Sequence, residues 1–202
     1  MNIRTATLDD LQAVTAVEAA CFPAAEAASE ERMRDRISHF GDHFWLLFDD
    51  DGTLISFVDG MVTGKGDLTD DLYADASLHD EKGAWQMIFG VNTLPSYRKR
   101  GYAGNLLQKA IDDARKEGRQ GVVLTCKEKL LHYYAKFGFE NEGLSTSEHG
   151  GASGIKCALL LNEGGDRLFV RNFNFFLHLF HKYLDKEPHK VYNSSNVSSE
   201  SL

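Results

Sequence analysis

The sequence predicts an α/β domain with a mixed, mostly antiparallel sheet and helices on both of its faces. Short apolar segments are typical of strands, and they are separated by stretches with the periodicity of amphipathic helices. The order of these elements is βααβββαβα, and one late strand is still expected after them. We expect the ligand crevice where the strands of this sheet splay apart.

Length and charge limit the classes of function. The 202 residues suit one domain, or one domain with a tail. A net charge of −8 would repel a phosphate backbone, so no nucleic-acid partner is expected, whereas it is compatible with a small cationic amine. A monomer or homodimer without membrane association is expected.

The cysteines Cys21, Cys126 and Cys157 are odd in number and widely spaced, which favours a reducing compartment over a disulfide framework. No Cys/His grouping has metal-ligand spacing, so no metal site is expected. The N-terminal residues lead straight into strand-like sequence without the pattern of a signal peptide. We therefore expect a cytoplasmic protein.

The first part of the chain predicts one strand and two helices. Residues 3–7 alternate as a short strand, and Thr7 offers a cap for a helix that continues to about Ala20. The segment Cys21-Phe22-Pro23 breaks this helix. Ser29 is the predicted N-cap of the second helix, whose apolar face contains Met33, Ile37 and Phe40.

A hairpin and a long loop follow. Residues 44–48 form a buried type of strand, residues 49–52 make the turn, and residues 54–62 form the returning strand. The polar run 64–82 predicts a long loop with a helical turn around residues 70–76.

The next strand, residues 88–93, leads into the most informative segment, Arg98-Lys99-Arg100-Gly101-Tyr102-Ala103. The strand ends before Pro95, which cannot continue a ladder, and helical periodicity begins at Gly104. A strand, a glycine-containing turn and a helix N-terminus present free backbone N–H groups, which bind a phosphate or pyrophosphate. Gly101 lets phosphate oxygens approach the backbone closely, and the three cations of the segment attract an anion.

Residues 93–103, Thr-Leu-Pro-Ser-Tyr-Arg-Lys-Arg-Gly-Tyr-Ala, resemble the acetyl-CoA signature R/Q-x-x-G-x-G/A of the GNAT N-acetyltransferases. The Gly-Lys-Ser/Thr ending of a P-loop is missing, so a nucleoside triphosphate is not indicated. The resemblance extends over about residues 3–151 and implies the GNAT fold, splayed at the signature strand, with acetyl-CoA as co-substrate. The acetyl-CoA-binding residues that it implies are Val91, Asn92, Thr93, Arg98, Lys99, Arg100, Gly101, Tyr102, Ala103 and Gly104.

The rest of the domain predicts a strand over residues 122–126 and a helical segment over residues 130–137. Residues 133–139, Tyr-Tyr-Ala-Lys-Phe-Gly-Phe, resemble the F/Y-Y-x-K/R-F-G-F segment of GNAT enzymes. In that family its tyrosine is the general acid that protonates the departing CoA thiolate, which implies this role for Tyr134. Without that context, a helix tyrosine would only pack its ring and leave its hydroxyl in water.

This stretch, with residues 124–126 before it, is especially similar to arylalkylamine (serotonin-type) N-acetyltransferases and their bacterial relatives. Those enzymes carry two histidines on the signature strand, where this chain has Met87 and Phe89. A backbone N–H of residues 91–93 is the expected donor to the oxyanion. The general base stays open among three candidates. They are Asp59, Gln86 acting through a water, and His149.

The acceptor amine is not identified by the sequence. Six apolar side chains fall near the expected acceptor side, and if several line the pocket, an aromatic or aliphatic primary amine suits better than a sugar. They are Phe22, Trp45, Phe57, Met61, Trp85 and Phe89. A small arylalkylamine, a polyamine and a protein N-terminus all stay open. The alternative function is a non-catalytic acyl-CoA-binding sensor on the same fold.

The chain departs from the family pattern after about Gly151. A last strand is expected there, but residues 150–157 make a poor strand because of their glycines. We expect the GNAT domain to span residues 1–161 and an atypical tail to follow over residues 162–202, helical and then disordered. A frameshift after about Gly151 and a genuine divergent tail, for a partner or a membrane surface, both stay open.

Overall fold

A computed structural model describes residues 1–24, 26–147 and 154–161, so the predicted tail lies outside the described residues. The described strands are β1 (Asn2–Thr5), β2 (Phe44–Phe48), β3 (Leu54–Asp59), β4 (Val62–Thr63), β5 (Trp85–Ile88), β6 (Gly90–Thr93), β7 (Gly121–Cys126), β8 (Glu140–Leu144) and β9 (Ile155–Leu160). The described helices are α1 (Leu11–Cys21), α2 (Glu30–Phe40), α3 (Asp70–Ala74), α4 (Tyr102–Lys116) and α5 (Leu131–Tyr134). None of these helices combines the length and the apolar composition that a membrane span requires.

The strands form two sheets. β1, β2, β3 and β6, in that order, make an antiparallel sheet of four strands. β4, β5, β7, β9 and β8 make a sheet of five strands, in which β5 and β7 are the one parallel pair among the described residues. The predicted mixed, mostly antiparallel arrangement is confirmed.

Helices cover both faces of these sheets, as predicted. α1 and α2 contribute Val14 and Met33 to one apolar cluster, which also contains Phe57 of β3. α4 contributes Leu106 to a second cluster, which contains Val58 of β3. Because consecutive residues of a strand point to opposite faces, Phe57 and Val58 place the two clusters on either side of the sheet.

Both predicted helix starts in the first part of the chain are confirmed, one with a shift. Ser29 caps α2, since its Oγ accepts the Arg32 N–H at 3.2 Å. The Thr7 N–H donates to the Asp10 carboxylate at 2.9 Å, which closes the predicted cap. A 3₁₀ turn occupies the first residues after this cap, so the α-helix itself begins at Leu11.

Two segments predicted as single strands are divided between the sheets instead. Residues 54–62 give β3 and β4, and residues 88–93 give the end of β5 and then β6, with Phe89 between them. Close backbone packing at Gly60 is the reason, because a Cβ there would lie 1.7 Å from the Met87 carbonyl oxygen. The two breaks therefore lie side by side, and both chains change sheet at the same place.

Two late strands, β8 and β9, follow α5 where one was expected. The prediction for residues 150–157 is wrong in position, since the strand is Ile155–Leu160 and starts after the glycines. β9 pairs with every residue of β7, from Gly121 opposite Leu160 to Cys126 opposite Ile155. β9 thus lies inside the larger sheet, between β7 and β8.

Candidate active site

The two sheets separate beyond Phe89. The residues before it, in β5, pair in parallel with β7 as far as Ile88 opposite Leu124. The residues after it, in β6, pair with β3 instead. The gap between β6 and the end of β7 opens into a cavity of about 780 Å³, a size usual for a small-molecule site. The predicted splay at the signature strand is confirmed.

Strand β6 presents a backbone edge to this cavity. The Leu94 N–H donates to the Ile55 carbonyl at 2.9 Å, and along an antiparallel strand such bonds point alternately toward and away from the partner. The backbone polar groups of Val91 and Thr93 therefore face away from β3, and both residues line the cavity. The Thr93 carbonyl already accepts the Arg98 Nε–H at 3.0 Å, so the groups of this edge that remain for a ligand are those of Val91 and the Thr93 N–H.

A second set of backbone groups faces the cavity at the start of α4. The helix begins at Tyr102, earlier than predicted, because Gly101 adopts the left-handed conformation (φ 86°) as its N-cap. The Asn105 N–H makes the first intrahelical bond, to the Gly101 carbonyl at 3.0 Å. The N–H groups of Tyr102, Ala103 and Gly104 consequently have no acceptor in the helix, and all three residues line the cavity.

This N-terminus fits an anionic pyrophosphate. The positive end of the helix dipole lies there, and the described first turn of α4 carries no acidic side chain to neutralise it. A Cβ on Gly101 would meet open space, so the approach to the backbone is unobstructed. Arg98 and Lys99 line the same part of the chain and add positive charge.

Most of the residues predicted to bind acetyl-CoA line the cavity, and Asn92 and Arg100 do not. The Asn92 side chain is fully buried. The Arg100 guanidinium is held elsewhere, since it donates to the Ser96 carbonyl at 3.2 Å and lies 5.5 Å from the centre of the Tyr97 ring. Those that do line it are Val91, Thr93, Arg98, Lys99, Gly101, Tyr102, Ala103 and Gly104.

Tyr134, at the end of α5, lines the same cavity. Its ring packs edge-on against Tyr133 and Phe139, with ring centres 5.2 and 6.0 Å away. Within the described part of the chain its hydroxyl has no hydrogen-bond partner. Burial raises the pKa of Tyr134, so the hydroxyl keeps its proton near neutral pH. The neighbouring His132 is exposed and does not line the cavity.

Two buried carboxylates also line the cavity. Glu18, on α1, is 5% exposed, and one of its oxygens accepts the Ala28 N–H at 3.0 Å. Asp59, at the end of β3, is 1% exposed, and its Oδ2 pairs with Arg36 Nη1 at 3.1 Å. Arg36, itself buried on α2, also donates to the Tyr73 carbonyl at 3.3 Å.

The surroundings of these carboxylates favour their protonated forms. Burial raises the pKa of Glu18 to about 7, and the nearby Asp59 charge acts in the same direction. Burial also raises the pKa of Asp59 to about 6, against the attraction of Arg36. A carboxyl group with a pKa near neutrality can both take up and release a proton at working pH.

An aromatic wall adjoins the carboxylates. The rings of Tyr73 and Phe89 lie 4.9 Å apart, and the Arg36 guanidinium stands over the Phe89 ring at 4.7 Å. Of the six apolar residues predicted near the acceptor, Phe22 and Phe89 line the cavity. The others pack into the apolar cores on the two sheet faces. They are Trp45, Phe57, Met61 and Trp85.

The three candidate bases have different outcomes. Asp59 lines the cavity. Gln86 does not, because it is fully buried and its Nε2 donates to the Met61 and Met87 carbonyls at 3.2 and 2.9 Å. His149 lies outside the described residues.

Glu18, Arg36 and Tyr73 were not among the predicted site residues. Two of them carried a signal in the sequence, since each charge stands on the apolar face of its helix. Glu18 follows Val14 by one turn on α1, and Arg36 follows Met33 by one turn on α2. Burial of a charge in that position is costly unless the charge is paired, so it indicates an ion pair or a functional role.

Among the residues that the structure describes, one group of metal-ligand type lies outside the cavity, although the sequence predicted none. The ligand atoms of His43, His79 and Glu81 are within 4.8 Å of one another. The Val62 N–H donates to His79 Nδ1 at 3.2 Å, so in the neutral ring Nε2 carries the proton and faces Glu81 at 3.3 Å. His43 and Arg119 contact the same carboxylate. These hydrogen bonds and the guanidinium charge satisfy the Glu81 carboxylate and connect the segments that contain His43, His79 and Arg119.

A comparison with protein-family models matches residues 2–141 to the acetyltransferase (GNAT) domain. A comparison with curated proteins finds no match. Many solved structures are similar at low identity, which shows the fold alone. One is the GphF GNAT-like decarboxylase in complex with isobutyryl-CoA, with a TM-score of 0.70 and 21% identity over 80% of this chain and 100% of that one.

Two other similar structures are N-acetyltransferases. The ribosomal-protein-S18-alanine N-acetyltransferase from Escherichia coli has a TM-score of 0.60 and 19% identity over 82% of this chain and 96% of that one. The PaiA N-acetyltransferase from Thermoplasma acidophilum, in complex with coenzyme A, has a TM-score of 0.60 and 16% identity over 79% and 98%. With the family model matching most of its length and its sheet splayed at the signature strand, the chain belongs to the GNAT acetyltransferase family.

Proposed function

We propose that this chain transfers the acetyl group of acetyl-CoA to a primary amine by direct attack. One observation carries the proposal. A single cavity is lined both by the free backbone N–H groups at the start of α4 and by the buried side chain of Tyr134. The first feature suits the pyrophosphate of CoA, and the second suits proton donation to its sulfur. Family membership supports acyl transfer as the reaction class.

The proposed reaction uses two groups of this chain. The neutral amine nitrogen attacks the thioester carbonyl carbon, and the new C–N bond leaves a negative charge on the oxygen. The Val91 N–H, at the free edge of β6, is the donor proposed for this oxyanion. The C–S bond then breaks with its electron pair on sulfur, and the Tyr134 O–H gives its proton to the thiolate. Its raised pKa keeps that proton in place until the charge develops on sulfur.

The acetyl-CoA contacts that the cavity supports are those of Val91 and Thr93 on the strand and of residues 98–104 without Arg100. Arg98 and Lys99 attract the anion, and the N–H groups of residues 102–104 bind its phosphate oxygens. The cavity lining lends no support to Asn92 or Arg100 as contacts.

The alternative is a sensor that binds acyl-CoA and catalyses nothing, and a Tyr134→Phe variant separates the two. Isothermal titration calorimetry measures acetyl-CoA affinity, and a thiol reagent measures CoA release with a panel of primary amines. An enzyme variant without its general acid should lose about 10²-fold or more in kcat while its Kd for acetyl-CoA changes less than about threefold. His132→Asn, exposed on the same helix, is the control.

Two outcomes would decide against parts of this proposal. A wild-type chain that binds acetyl-CoA and releases no CoA with any amine is a sensor. A Tyr134→Phe variant with wild-type turnover shows that another group protonates the thiolate.

A further inference from the structure

We propose that Glu18 is the general base of this site and that Asp59, held by Arg36, positions a small cationic primary amine beside it. The inference rests on the proposed acetyl transfer, since it names the acceptor class and the proton acceptor of that reaction. It departs from the three candidates that the sequence offered, because Glu18 was not among them.

Glu18 has the placement that a base requires. It lines the cavity and is almost fully buried, so water competes little with a bound substrate. One oxygen is fixed by the Ala28 N–H at 3.0 Å, which orients the carboxylate. The oriented Glu18 carboxylate therefore lines the same cavity as Tyr134.

Asp59 supplies the second half of the recognition. Its Oδ2 is occupied by Arg36, whereas its buried Oδ1 accepts no well-aligned hydrogen bond among the described residues and has the Gly90 backbone beside it. A buried acceptor without a donor is costly, and an ammonium group carries three donors. A primary ammonium between Glu18 and Asp59 would satisfy the free oxygen and bring its own proton to Glu18.

The charge of the cluster points to a cation as well. Glu18 and Asp59 together carry two negative charges when ionised, and Arg36 supplies one positive charge. Among the other neighbours, Cys21 on α1 has a raised pKa and stays neutral, and Asn92 on β6 is uncharged. The cation Arg98 lies next to Cys21, and its Nε–H is held by the Thr93 carbonyl. With both carboxylates ionised the cluster lacks one positive charge, and a bound ammonium supplies it and so favours the ionised forms over the protonated forms that burial favours in the empty site.

The walls limit the rest of the acceptor. Tyr73 and Phe89 offer ring faces beside the carboxylates, which suit an apolar or aromatic group and an adjacent cation. The cavity of about 780 Å³ must also hold the acyl arm of CoA, so the acceptor is small. A polyamine would need a further carboxylate, and the described lining offers Glu26, which already pairs with Lys127 at 3.1 Å. A small arylalkyl or alkyl primary amine fits best.

The proposed acetyl transfer releases one proton to solvent for each amine acetylated. Glu18 takes one proton from the bound ammonium and passes it to solvent, which leaves a neutral nitrogen to attack. The nitrogen loses a second proton after the C–N bond forms, and this proton replaces the one that Tyr134 gives to the thiolate. The products are the acetylated amine, CoA with its thiol protonated, and one proton in solvent.

The test measures kcat/KM as a function of pH for two amines. One is phenethylamine, and the other is an analogue with fluorine on the carbon next to the amine-bearing carbon, which lowers the pKa of its amine. In the wild-type chain kcat/KM should rise through the ionisation of Glu18 and then level off. Glu18→Gln should lose about 10²-fold or more near neutral pH, and its kcat/KM should keep rising toward the pKa of the amine, because only free amine then reacts. The fluorinated amine should reduce that loss, which a purely structural defect would not do.

The controls keep the outcomes separate. Glu31→Gln, exposed on α2, should match the wild type in both pH profiles. If Glu18→Gln does not fold, Glu18→Asp serves instead and should keep the levelling profile at lower kcat. Wild-type-like rates and profile in Glu18→Gln, or loss of acetyl-CoA binding with the catalytic loss, would overturn the base assignment while acetyl transfer stands.

Two further results address the acceptor class and the proposed function. A higher kcat/KM for spermidine or for a peptide N-terminus than for phenethylamine would overturn the small-amine assignment. The absence of wild-type CoA release with every amine would instead overturn the proposed acetyl transfer itself.

Discussion

Asp59 and Gly90 face each other across the β3–β6 pair where the two sheets separate, and a Cβ on Gly90 would lie 2.6 Å from Asp59 Oδ1. The same Cβ would lie 2.8 Å from Asn92 Nδ2. The carboxylate thus rests over bare backbone in the strand that forms the cavity edge. The break after β5 therefore separates the two sheets and also leaves space for the Asp59 carboxylate, to which we assign amine binding.

Gly90→Ala should displace the Asp59 carboxylate and leave the acetyl-CoA-binding part of the cavity unchanged. Overpacking at a buried position costs about 1–3 kcal/mol, so we expect the free energy of unfolding to fall by that amount in urea titrations. KM for the amine should rise, while the Kd of acetyl-CoA should change little. Gly64→Ala is the control, since a Cβ there meets nothing within 4 Å. Equal effects of the two substitutions would contradict the role of Gly90.

Gly101→Ala should weaken acetyl-CoA binding specifically. Gly101 has a φ of 86°, and an L-residue in the left-handed region costs about 1–2 kcal/mol, which favours an altered turn before α4. We expect the Kd of acetyl-CoA, measured by calorimetry, to rise by about tenfold. Gly118→Ala is a matched control at the other end of α4, because Gly118 also has a positive φ, 77°, and open space around it. It should lose similar stability with unchanged acetyl-CoA affinity.

The sequence predicted the parts of the fold that local patterns encode. Ser29 caps α2 as the sequence indicated, and the segment 98–103 predicted the helix N-terminus that faces the cavity. The divisions at Gly60 and Phe89 were missed, because each break depends on a close contact between the two segments. Contacts between distant segments leave no periodic signal in either one.

The candidate site likewise contains residues that belong to a local motif and residues that come together only in the fold. Tyr134 stands in a motif and lines the cavity, and its role as general acid stays a prediction. Glu18 and Arg36 stand in no motif and become a cluster with Asp59 only after folding. Their positions on apolar helix faces were the signal that pattern reading could have used. The similarity to serotonin-type enzymes stays a prediction, since the matching family model describes the GNAT domain as a whole.

Glu18→Gln should stabilise the fold at alkaline pH. The pKa of Glu18 rises from 4.5 to about 7 on folding, so the folded state holds this proton more tightly than the unfolded state. Stability is then full below the unfolded pKa and is lost as pH rises through about 7, by about 3 kcal/mol in total. The variant lacks this loss, so its free energy of unfolding should exceed that of the wild type at about pH 8 and approach it below about pH 5. A wild type more stable than the variant at the higher pH would contradict this linkage.

The frameshift hypothesis stays a prediction, and the gene sequence around Ser153 tests it. The resemblance to arylalkylamine N-acetyltransferases implies a Trp-Tyr-x-Met strand at this point. An adjacent reading frame that encodes such a strand would support a shift, whereas other codons would remove the hypothesis. Residues 155–160 nevertheless form β9, with Cys157 and Ala158 buried in the core. A shift confined to the predicted tail would leave this strand intact.

A chain that ends after Leu161 should fold like the full chain. β9 is complete at Leu160, and the Leu161 N–H donates to the Gln120 carbonyl at 2.8 Å, which closes the sheet at that end. We expect unchanged Tm and unchanged acetyl-CoA affinity. A chain that ends after Gly154 loses the strand between β7 and β8, and with it buried Cys157, so it should not show a cooperative thermal transition. Loss of folding in the longer of the two chains would contradict the domain boundary at residue 161.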